Sequence, residues 1–337
     1  WYQGTADAVR KNLRYMTQPG VDHVVILSGD QLYRMDFAAM LKTHLASNAD
    51  ITIAAKPVHA SEASALGVMK VDSSGRVVGF VEKPQSEADL ADVRMDPAWI
   101  DANGVQSRGR DCLASMGIYL FNAKVLADSL SDNNHQDFGR EIFPHSIAER
   151  KVQVHLFDGY WEDIGTIGSF FEANLQLAQP NAPFNLTAQS APIYSRPRFL
   201  PPTRIDGASV TGSLIADGCI IEPGARIENS VVGLRCRIGR DVTIRNSILM
   251  GADYYETVQD WENCATAELP PFGIGAGAVI DGAIVDKNCR IGAGAEIVNS
   301  HDVTHSDPAE GIAIRDGILV VEKGASVPAS WKLPSHS

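Results

Sequence analysis

Hydrophobic and polar positions along the first 180 residues alternate between short apolar runs and stretches with helical periodicity. The run Val24–Leu27 is continuous and rich in β-branched residues, which is typical of a strand buried on both faces. Phe37, Leu41 and Leu45 follow at intervals of four residues, which predicts a helix with one apolar face. The stretch "GVMKVDSSGRVVGFVE" predicts a hairpin that turns at "DSSG". This alternation indicates an open α/β sheet with an added β-hairpin.

A different period begins after Asp206. Single aliphatic residues recur every six positions, with one step of five in each of two blocks, and most are followed by Gly, Asp or Glu. These positions are Ile215, Ile221, Ile227, Val232, Ile238, Ile244, Ile274, Ile280, Val285, Ile291 and Ile297. A hexapeptide repeat with one aliphatic residue per step predicts a left-handed parallel β-helix, in which the aliphatic side chains stack inside three-sided coils.

Two segments interrupt these patterns. Residues 180–202 are rich in proline, so they cannot form a long helix, and we interpret them as an extended linker. Met250–Phe272 breaks the six-residue period, and we expect it to form a projecting loop. The predicted domains are therefore residues 1–180, a linker at 181–206 and a β-helix at 207–337.

Composition narrows the class of partner. The chain has 41 acidic and 29 basic residues and a net charge of -12, which argues against nucleic acid or an anionic membrane as the main partner. No apolar run approaches the roughly 18–20 residues of a membrane-spanning helix. The five cysteines are odd in number and widely separated, which indicates neither a zinc site nor a disulfide framework. We therefore expect a cytoplasmic protein with reduced cysteines.

Two carboxylates stand at positions that suit a metal ion. Asp30 follows the strand Val24–Leu27, and in open α/β sheets ligands bind outside the carboxyl ends of strands. Asp163 directly precedes a predicted helix. Mg²⁺ prefers one or two carboxylates together with substrate phosphates, so both residues are candidate ligands. The alternatives are that Asp30 caps its own turn and that Asp163 caps the amide of Gly165 or Thr166.

Two other stretches are suited to a phosphorylated ligand. In "FVEKP" a strand ends at Glu82 and Lys83, and Pro84 restricts the backbone so that a bend would direct both side chains into one pocket. Lys83 suits a phosphate and Glu82 a pair of sugar hydroxyls, and the alternative is a solvated strand end. In "WYQGTADAV", Gly4 permits close approach to a ligand, and Thr5 is the predicted N-cap of a helix whose amides can bind an anion. The alternative there is an ordinary capped helix.

Two further patterns are less specific. The triplet "DFG" at Asp137–Gly139 matches a kinase magnesium motif, but no catalytic-loop HRD and no β3 lysine accompany it, so we do not assign it a role. Arg235, Arg237, Arg240 and Arg245 indicate either an anion site on the β-helix or a solvated face.

The stretches GTADAV, GD, GVMKVD, EKP, SMGIY and YWEDIGT, in this order, closely resemble the glucose-1-phosphate adenylyltransferase family. PIYSRPRFLPPTRI, MGADYYE and IRDGILVVEKGA resemble the β-helix half of the same family, so the resemblance covers nearly the whole chain. It implies an α/β nucleotidyltransferase domain, Rossmann-like with a mostly parallel sheet and truncated at its N-terminus, followed by a left-handed parallel β-helix. The family's glycine-rich basic loop, which wraps the triphosphate, is missing from this sequence. We therefore expect the chain as given to be weakly active or inactive.

The resemblance also implies an activity and a set of site residues. The reaction is the transfer of AMP from ATP to glucose 1-phosphate, which gives ADP-glucose and pyrophosphate for glycogen or starch synthesis. The implied catalytic residues are Asp30, Lys83 and Asp163, of which Asp30 and Asp163 hold Mg²⁺. The residues implied to bind glucose 1-phosphate are Tyr2, Gly67, Glu82, Lys83 and Ser115, and those implied to bind the nucleotide are Trp1, Gly4 and Thr5. An allosteric homotetramer that senses a small phosphorylated metabolite is implied as well.

Three other functions remain open on the sequence. The same fold could use UTP, dTTP or GTP, although "WYQGTADAV" and "PIYSRPRFLPP" favour ATP. A hexapeptide acyltransferase would need a histidine base between coils, but His301, His305 and His336 all follow the last regular repeat. A non-catalytic regulatory subunit is the third possibility, and the presence of all three implied catalytic residues argues against it.

Overall fold

The chain forms two compact units, Trp1–Trp161 and Glu162–Ser337, in a computed structural model that describes residues 2–131, 135–189 and 191–334. A compact unit need not coincide with a functional domain. The predicted domain bounds at residues 180 and 206 therefore stay a prediction.

The first unit combines short helices with a six-stranded sheet in the described part of the chain. Its helices are α1 (Thr5–Lys11), α2 (Leu13–Met16), α3 (Phe37–Ser47), α4 (Glu87–Val93), α5 (Pro97–Ala102), α6 (Ala123–Ser129) and α7 (Phe143–Glu149), with a 3₁₀ turn at Ala60–Ala65 and a π-helical turn at Phe138–Ile142. Its strands are β1 (His23–Leu27), β2 (Gln31–Tyr33), β3 (Ile51–Val58), β4 (Gly67–Val71), β5 (Val77–Glu82), β6 (Cys112–Asn122) and β7 (Val152–Leu156), and β8 (Trp161–Asp163) lies at the unit boundary.

The direction of the strands matches the expected sheet only in part. Strands β1, β3, β4 and β7 run one way, whereas β6 runs antiparallel to β1, β3 and β4, and β5 runs antiparallel to β4. Most strands thus share a direction, but among the described pairs of this sheet only β3–β7 is parallel. The expectation of mostly parallel pairing is wrong because the long strand β6 inserts in the opposite direction between neighbours that run the same way.

Strand β1 is not buried on both faces. Val25 and Leu27 expose 42% and 46% of their surface, whereas Val24 exposes 8%. Successive side chains of a strand point to opposite faces, so one face of β1 is covered and the other is open in the described part of the chain. The prediction of a central, doubly covered strand is therefore wrong for Val24–Leu27.

His44 is a buried polar residue between α3 and the sheet. Its Nδ1 lies 2.8 Å from the Thr52 hydroxyl oxygen and its Nε2 lies 3.2 Å from Asn122 Oδ1. Burial is the main cause that lowers the pKa of His44 below its usual value of 6.5. Folding therefore favours the neutral imidazole.

We expect the free energy of unfolding to decrease as the pH falls below about 6.5, because the unfolded chain binds a proton at His44 at a higher pH than the folded chain does. The decrease should end below the lowered pKa of the folded state. Urea unfolding between about pH 7 and pH 5 should show a smaller pH slope for His44→Gln than for the wild type. His155, whose pKa burial also lowers, contributes a slope of the same sign, and Glu82, whose pKa burial raises, contributes a slope of the opposite sign. Equal slopes for the two proteins would contradict the assignment.

The second unit contains helices α8 (Ile167–Leu177) and α9 (Val258–Thr266) and a series of short strands. The strands are β9 (Arg204–Ile205), β10 (Ser209–Thr211), β11 (Leu214–Ile215), β12 (Ile220–Ile221), β13 (Arg226–Glu228), β14 (Val231–Val232), β15 (Arg237–Ile238), β16 (Thr243–Arg245), β17 (Ile248–Leu249), β18 (Gly273–Ile274), β19 (Val279–Asp281), β20 (Ala283–Val285), β21 (Arg290–Ile291), β22 (Glu296–Val298), β23 (Ser306–Ala309), β24 (Ile312–Arg315), β25 (Ile318–Val321) and β26 (Ser326–Val327). Apart from β23 and β24, they stack as the three faces of a left-handed parallel β-helix, and β23 and β24 extend one face beyond β25 as antiparallel strands.

The inside of the β-helix is lined by the aliphatic residues that the six-residue period predicts. Ile244 pairs in register with Ile227 on one side and Ile280 on the other, and all three are 0% exposed. The other predicted positions are buried as well, except Ile215 at the first coil, which is partly buried. Outside the coils, Phe170 of α8 packs against the outer face of the β-helix. The period prediction is confirmed.

The insertion Met250–Phe272 is not a projecting loop. It contains α9, and the Glu256 carboxylate beside α9 lies 2.7 Å from Arg290 Nη1 with only 4% of its side chain exposed. The Tyr255 hydroxyl donates to the Gly218 carbonyl at 2.9 Å. These contacts attach the insertion to the coils. The sequence period contains no sign of them, and the expectation of a projecting loop is wrong.

The remaining expectations concern cysteines, the linker and membranes. Cys112, Cys219, Cys236, Cys264 and Cys289 are all buried and free of disulfides, as expected for reduced cysteines. Residues 191–203 form neither helix nor strand, and a linker over residues 181–206 stays a prediction. Within the described ranges, no helix has both the length and the apolar character that crossing a membrane requires.

Candidate active site

Gly67 and Glu82 lie together at one end of the hairpin formed by β4 and β5. Gly67 begins β4, Glu82 ends β5, and the two residues are directly paired. A Cβ atom at position 67 would lie 2.7 Å from Glu82 Oε2 and 2.6 Å from Phe80 Cζ. Only glycine leaves the Glu82 carboxylate in its place, so the structure brings these two predicted residues into one feature.

The backbone bends directly after Glu82. Lys83 has a φ of +52°, in the left-handed region that residues other than glycine adopt rarely. Its N–H donates to the Leu66 carbonyl at 3.0 Å, which holds the bend, and the side chain is exposed. The bend that the sequence suggested before Pro84 is therefore present. Such strained positions cluster at ligand sites, where the surrounding structure maintains them.

The Glu82 carboxyl group has an altered proton affinity. Burial is the main cause that raises the pKa of Glu82 above its usual value of 4.5, and the nearby Asp137 carboxylate raises it further. The positive charges of Lys83 and Arg140 oppose this change. Carboxylates whose pKa is raised by burial and by a second carboxylate are frequent at functional sites. When ionised, Glu82 accepts hydrogen bonds, as a ligand with adjacent hydroxyl groups requires.

Strand β6 contributes Ser115 and the contact to the turn that carries Asp30. Ser115 is buried, and its hydroxyl oxygen accepts from the Gly117 N–H at 3.4 Å. Gly117 has a φ of +67°, and a Cβ there would lie 2.6 Å from the Ser28 hydroxyl oxygen. The turn between β1 and β2 therefore rests directly on β6, close along the strand to Ser115.

Tyr119, Asp137 and Gly139 lie near the Glu82 carboxylate and were missed as site residues by the sequence analysis. Tyr119 lies 5.6 Å from Phe138 and 4.6 Å from Phe143 between ring centroids, and burial raises its pKa to about 12. Asp137 and Gly139 both adjoin Glu82. The only sequence signal for them was the "DFG" triplet, which matched an unrelated motif.

The two candidate metal ligands have different local surroundings. Asp30 is exposed and makes no hydrogen bond or ion pair within the described ranges, so the turn-capping alternative does not describe it. Asp163 is exposed too, and its Oδ1 accepts from the Gly165 N–H at 2.8 Å, as the capping alternative predicted. Asp30 belongs to the first unit and Asp163 to the second. Their joint use as ligands stays a prediction.

The donor chemistry of these residues fits Mg²⁺. Carboxylate oxygens are hard ligands, and both groups are free to direct at least one oxygen to solvent. Among the residues that the structure describes, no group of three or more His, Cys, Asp and Glu side chains could hold a metal ion. Mg²⁺ does not need such a group, because it usually binds through one or two carboxylates and the substrate phosphates.

The residues implied to bind the nucleotide lie at and just before the start of α1 in the sequence. Trp1 lies outside the described residues. Tyr2 is exposed, and Asn12 Nδ2 donates to its hydroxyl oxygen at 3.4 Å. Helix α1 begins at Thr5 with Gly4 as its N-cap, so the prediction of Thr5 as the N-cap is wrong by one residue. The Thr5 hydroxyl donates to Asp137 at 3.3 Å instead of capping the helix.

The sequence analysis left two interpretations for the arginines of the β-helix, an anion site and a solvated face. Arg235 and Arg237 line a cavity of about 210 Å³ together with Tyr255 and Trp261. Arg237 also forms an ion pair with Glu222 at 3.5 Å. Two arginines and two aromatic residues thus share one cavity, but the Glu222 and Glu256 carboxylates offset their charge, so the anion site stays a prediction.

Two family models match the chain. The model described as "Nucleotidyl transferase" matches residues 2–180, just over half of the chain. The model described as "GLGC left-handed parallel beta-helix domain" matches residues 198–331. The first match contains Gly67, Glu82, Lys83 and Ser115, and the second contains the whole series of coils.

Proposed function

The chain belongs to the nucleotidyl transferase family, and from this premise we propose that it transfers AMP from ATP to glucose 1-phosphate. The products are ADP-glucose and pyrophosphate. The observation that carries the choice of substrates is the match of the second unit to the GLGC β-helix domain, which accompanies the paired Gly67 and Glu82 in the first. Family membership also removes the reason to consider a hexapeptide acyltransferase.

The sugar phosphate would bind at the end of the β4–β5 hairpin. The exposed Lys83 ammonium group neutralises the phosphate, and the bend at Lys83 directs it away from the strand. Glu82 accepts hydrogen bonds from glucose hydroxyl groups, and Gly67 leaves room for the ring beside that carboxylate. Ser115 and Tyr2 complete the sugar contacts.

The chemical step would be an in-line displacement. A phosphate oxygen of glucose 1-phosphate forms a bond to the α-phosphorus of ATP, and the bond from that phosphorus to the bridging oxygen of the β-phosphate breaks, so pyrophosphate leaves. Trp1, Gly4 and Thr5 would contact the nucleotide, and Asp30 and Asp163 would hold Mg²⁺. When bound, Mg²⁺ neutralises charge on the triphosphate. The residues of the chain act by holding the two substrates so that the attacking oxygen lies in line with the bond that breaks.

Assembly and regulation are part of the same proposal. We propose a cytoplasmic homotetramer, as the family resemblance implies. The basic and aromatic cavity at Arg235 and Arg237 supports the binding of a small phosphorylated effector, because a guanidinium group recognises phosphate with two parallel hydrogen bonds.

Pyrophosphate release by the full-length protein tests the proposed reaction. With Mg²⁺ and glucose 1-phosphate, we expect kcat/KM to be at least about 100-fold higher with ATP than with UTP, GTP or dTTP. A preference for another nucleotide would leave the transferase intact and overturn the choice of ATP. No release with any nucleotide would favour the non-catalytic regulatory subunit.

A further inference from the structure

We propose that Gln136–Arg140, here called the DFG segment, is a positioning element that holds the nucleotide-side turn at Gly4–Thr5 and the Glu82 carboxylate at a fixed distance from each other. This inference rests on the proposed function, since it assigns the two substrates to those two features. The segment touches both sides of the site, and no role was assigned to it from the sequence.

The first contact is between backbones. The Ala6 N–H donates to the Gln136 carbonyl at 2.9 Å. A Cβ at Gly4 would lie 2.3 Å from the same carbonyl oxygen, so the turn before α1 can approach the DFG segment only with glycine at this position. The start of α1 is thus fixed by a backbone contact between two residues that lie near opposite ends of the first unit in the sequence.

The second contact is a reciprocal pair of hydrogen bonds at Thr5. Its hydroxyl donates to Asp137 Oδ2 at 3.3 Å and accepts from the Phe138 N–H at 3.3 Å. The hydroxyl therefore has one donor and one acceptor partner, both in the DFG segment. This arrangement orients the Thr5 side chain and leaves little freedom to the turn that would face the nucleotide.

The third contact is with the sugar side. A Cβ at Gly139 would lie 2.8 Å from Glu82 Oε2, and the Gly67 position meets the same oxygen from β4. Two glycines therefore flank one carboxylate oxygen, one from the hairpin and one from the DFG segment. A side chain at either position would displace the carboxylate, because a glutamate end group moves more easily than backbone.

The DFG segment is itself held in place. Asp137 Oδ1 accepts from the Arg140 N–H at 2.9 Å and caps the π-helical turn, and Glu141 accepts from the Asp137 N–H at 2.9 Å. Phe138 is buried against Tyr119. Single π-helical turns occur frequently at functional sites. One carboxylate, Asp137, thus caps the turn with one oxygen and binds Thr5 with the other.

The variant Gly139→Ala tests the sugar-side contact. We expect the KM for glucose 1-phosphate to rise about tenfold, with little change in the KM for ATP, because the methyl group displaces Glu82. Gly79→Ala is the matched control, since it adds a methyl group to β5 where the nearest atom, Lys70 Cβ, would lie at an ordinary 3.5 Å. Equal KM values for the two variants would overturn the sugar-side role.

The variant Asp137→Asn tests the nucleotide-side contact. The amide can still cap the π-helical turn, but it replaces the acceptor of the Thr5 hydroxyl, and we expect kcat to fall about tenfold. Asp96→Asn is the matched control, because Asp96 caps α5 by accepting from the Ala98 N–H at 2.9 Å and belongs to the same unit. If Asp137→Asn retains the kcat of Asp96→Asn, the positioning role is wrong.

Hydrogen exchange separates this inference from the proposed function. The amides of Ala6 and Phe138 should exchange faster in Asp137→Asn than in Asp96→Asn, whether or not the protein turns over any nucleotide. Unchanged exchange at both amides would overturn the positioning role by itself. Absence of ADP-glucose formation by the wild type, together with faster exchange in Asp137→Asn, would instead overturn the proposed function and leave the structural link intact.

Discussion

Replacing Asp30 with asparagine is expected to lower the kcat of Mg²⁺-dependent pyrophosphate release by about 100- to 1,000-fold. Asp30 is exposed and has no hydrogen bond or ion pair within the described part of the chain, so its charge is available to a cation and its removal disturbs no contact. Asparagine keeps the size of the side chain and removes the charge. The measurement is kcat at saturating ATP and glucose 1-phosphate, with a Mg²⁺ titration of each protein.

Asp22→Asn is the matched control, because Asp22 is an exposed aspartate at the opposite end of β1. We expect it to keep the wild-type kcat and Mg²⁺ dependence. Asp163→Asn should lose activity to a similar degree while keeping its Oδ1 contact to Gly165. If Asp30 and Asp163 hold one ion, as proposed, the double variant should lose little more than either single variant. A kcat for Asp30→Asn equal to that of Asp22→Asn would disprove the metal role.

Replacing Glu256 with alanine is expected to cost about 3–5 kcal/mol of the free energy that keeps the insertion docked on the β-helix. The Glu256 carboxylate lies 2.7 Å from Arg290 Nη1 and accepts from the Phe272 N–H at 2.7 Å. Its removal leaves the Arg290 charge buried with fewer partners, and an unpaired buried charge is strongly destabilising. Hydrogen exchange of the α9 amides and thermal unfolding of the protein would report the loss.

Glu262→Ala is the control for this prediction, because Glu262 lies on the exposed face of α9. Its effect should stay within about 0.5 kcal/mol, as for other surface substitutions. Glu256→Gln should fall between the two, since glutamine keeps an acceptor for Phe272 but not the charge. If Glu256→Ala leaves exchange in α9 unchanged, the insertion is held by its apolar contacts and not by the ion pair.

The β-helix and the sugar-side residues show how much the sequence predicts. An aliphatic residue every six positions specifies which side chain enters each coil, because the same local geometry repeats and each coil needs only its neighbours. Glu82 was identified from the strand end in "FVEKP" and from the resemblance to a family, whereas Gly67 was identified from that resemblance alone. Their pairing across the hairpin follows from the turn signal between β4 and β5, which sets the register of the two strands.

The insertion Met250–Phe272 is an example of a feature that sequence patterns do not predict. Glu256 and Arg290 are separated by one helix and three strands, and neither residue belongs to a periodic pattern. The break in the period correctly located the insertion, but it contained no information on whether the segment projects or packs. Contacts between residues far apart in the sequence, among them the buried ion pair of Glu256 and Arg290 and the Tyr255 hydrogen bond to Gly218, hold the segment on the coils.

By itself, the sequence determined the β-helix and the alternation of helices and strands in the first unit, and it supplied the candidate site residues as predictions. These properties depend on local periodicity, on turn residues and on short motifs. Only the tertiary structure decided the antiparallel pairing of β6, the docking of the insertion and the link from Thr5 to Asp137, residues 132 positions apart. Each of these depends on the path of the chain through space, and a contact made once between distant residues leaves no repeated pattern in the sequence.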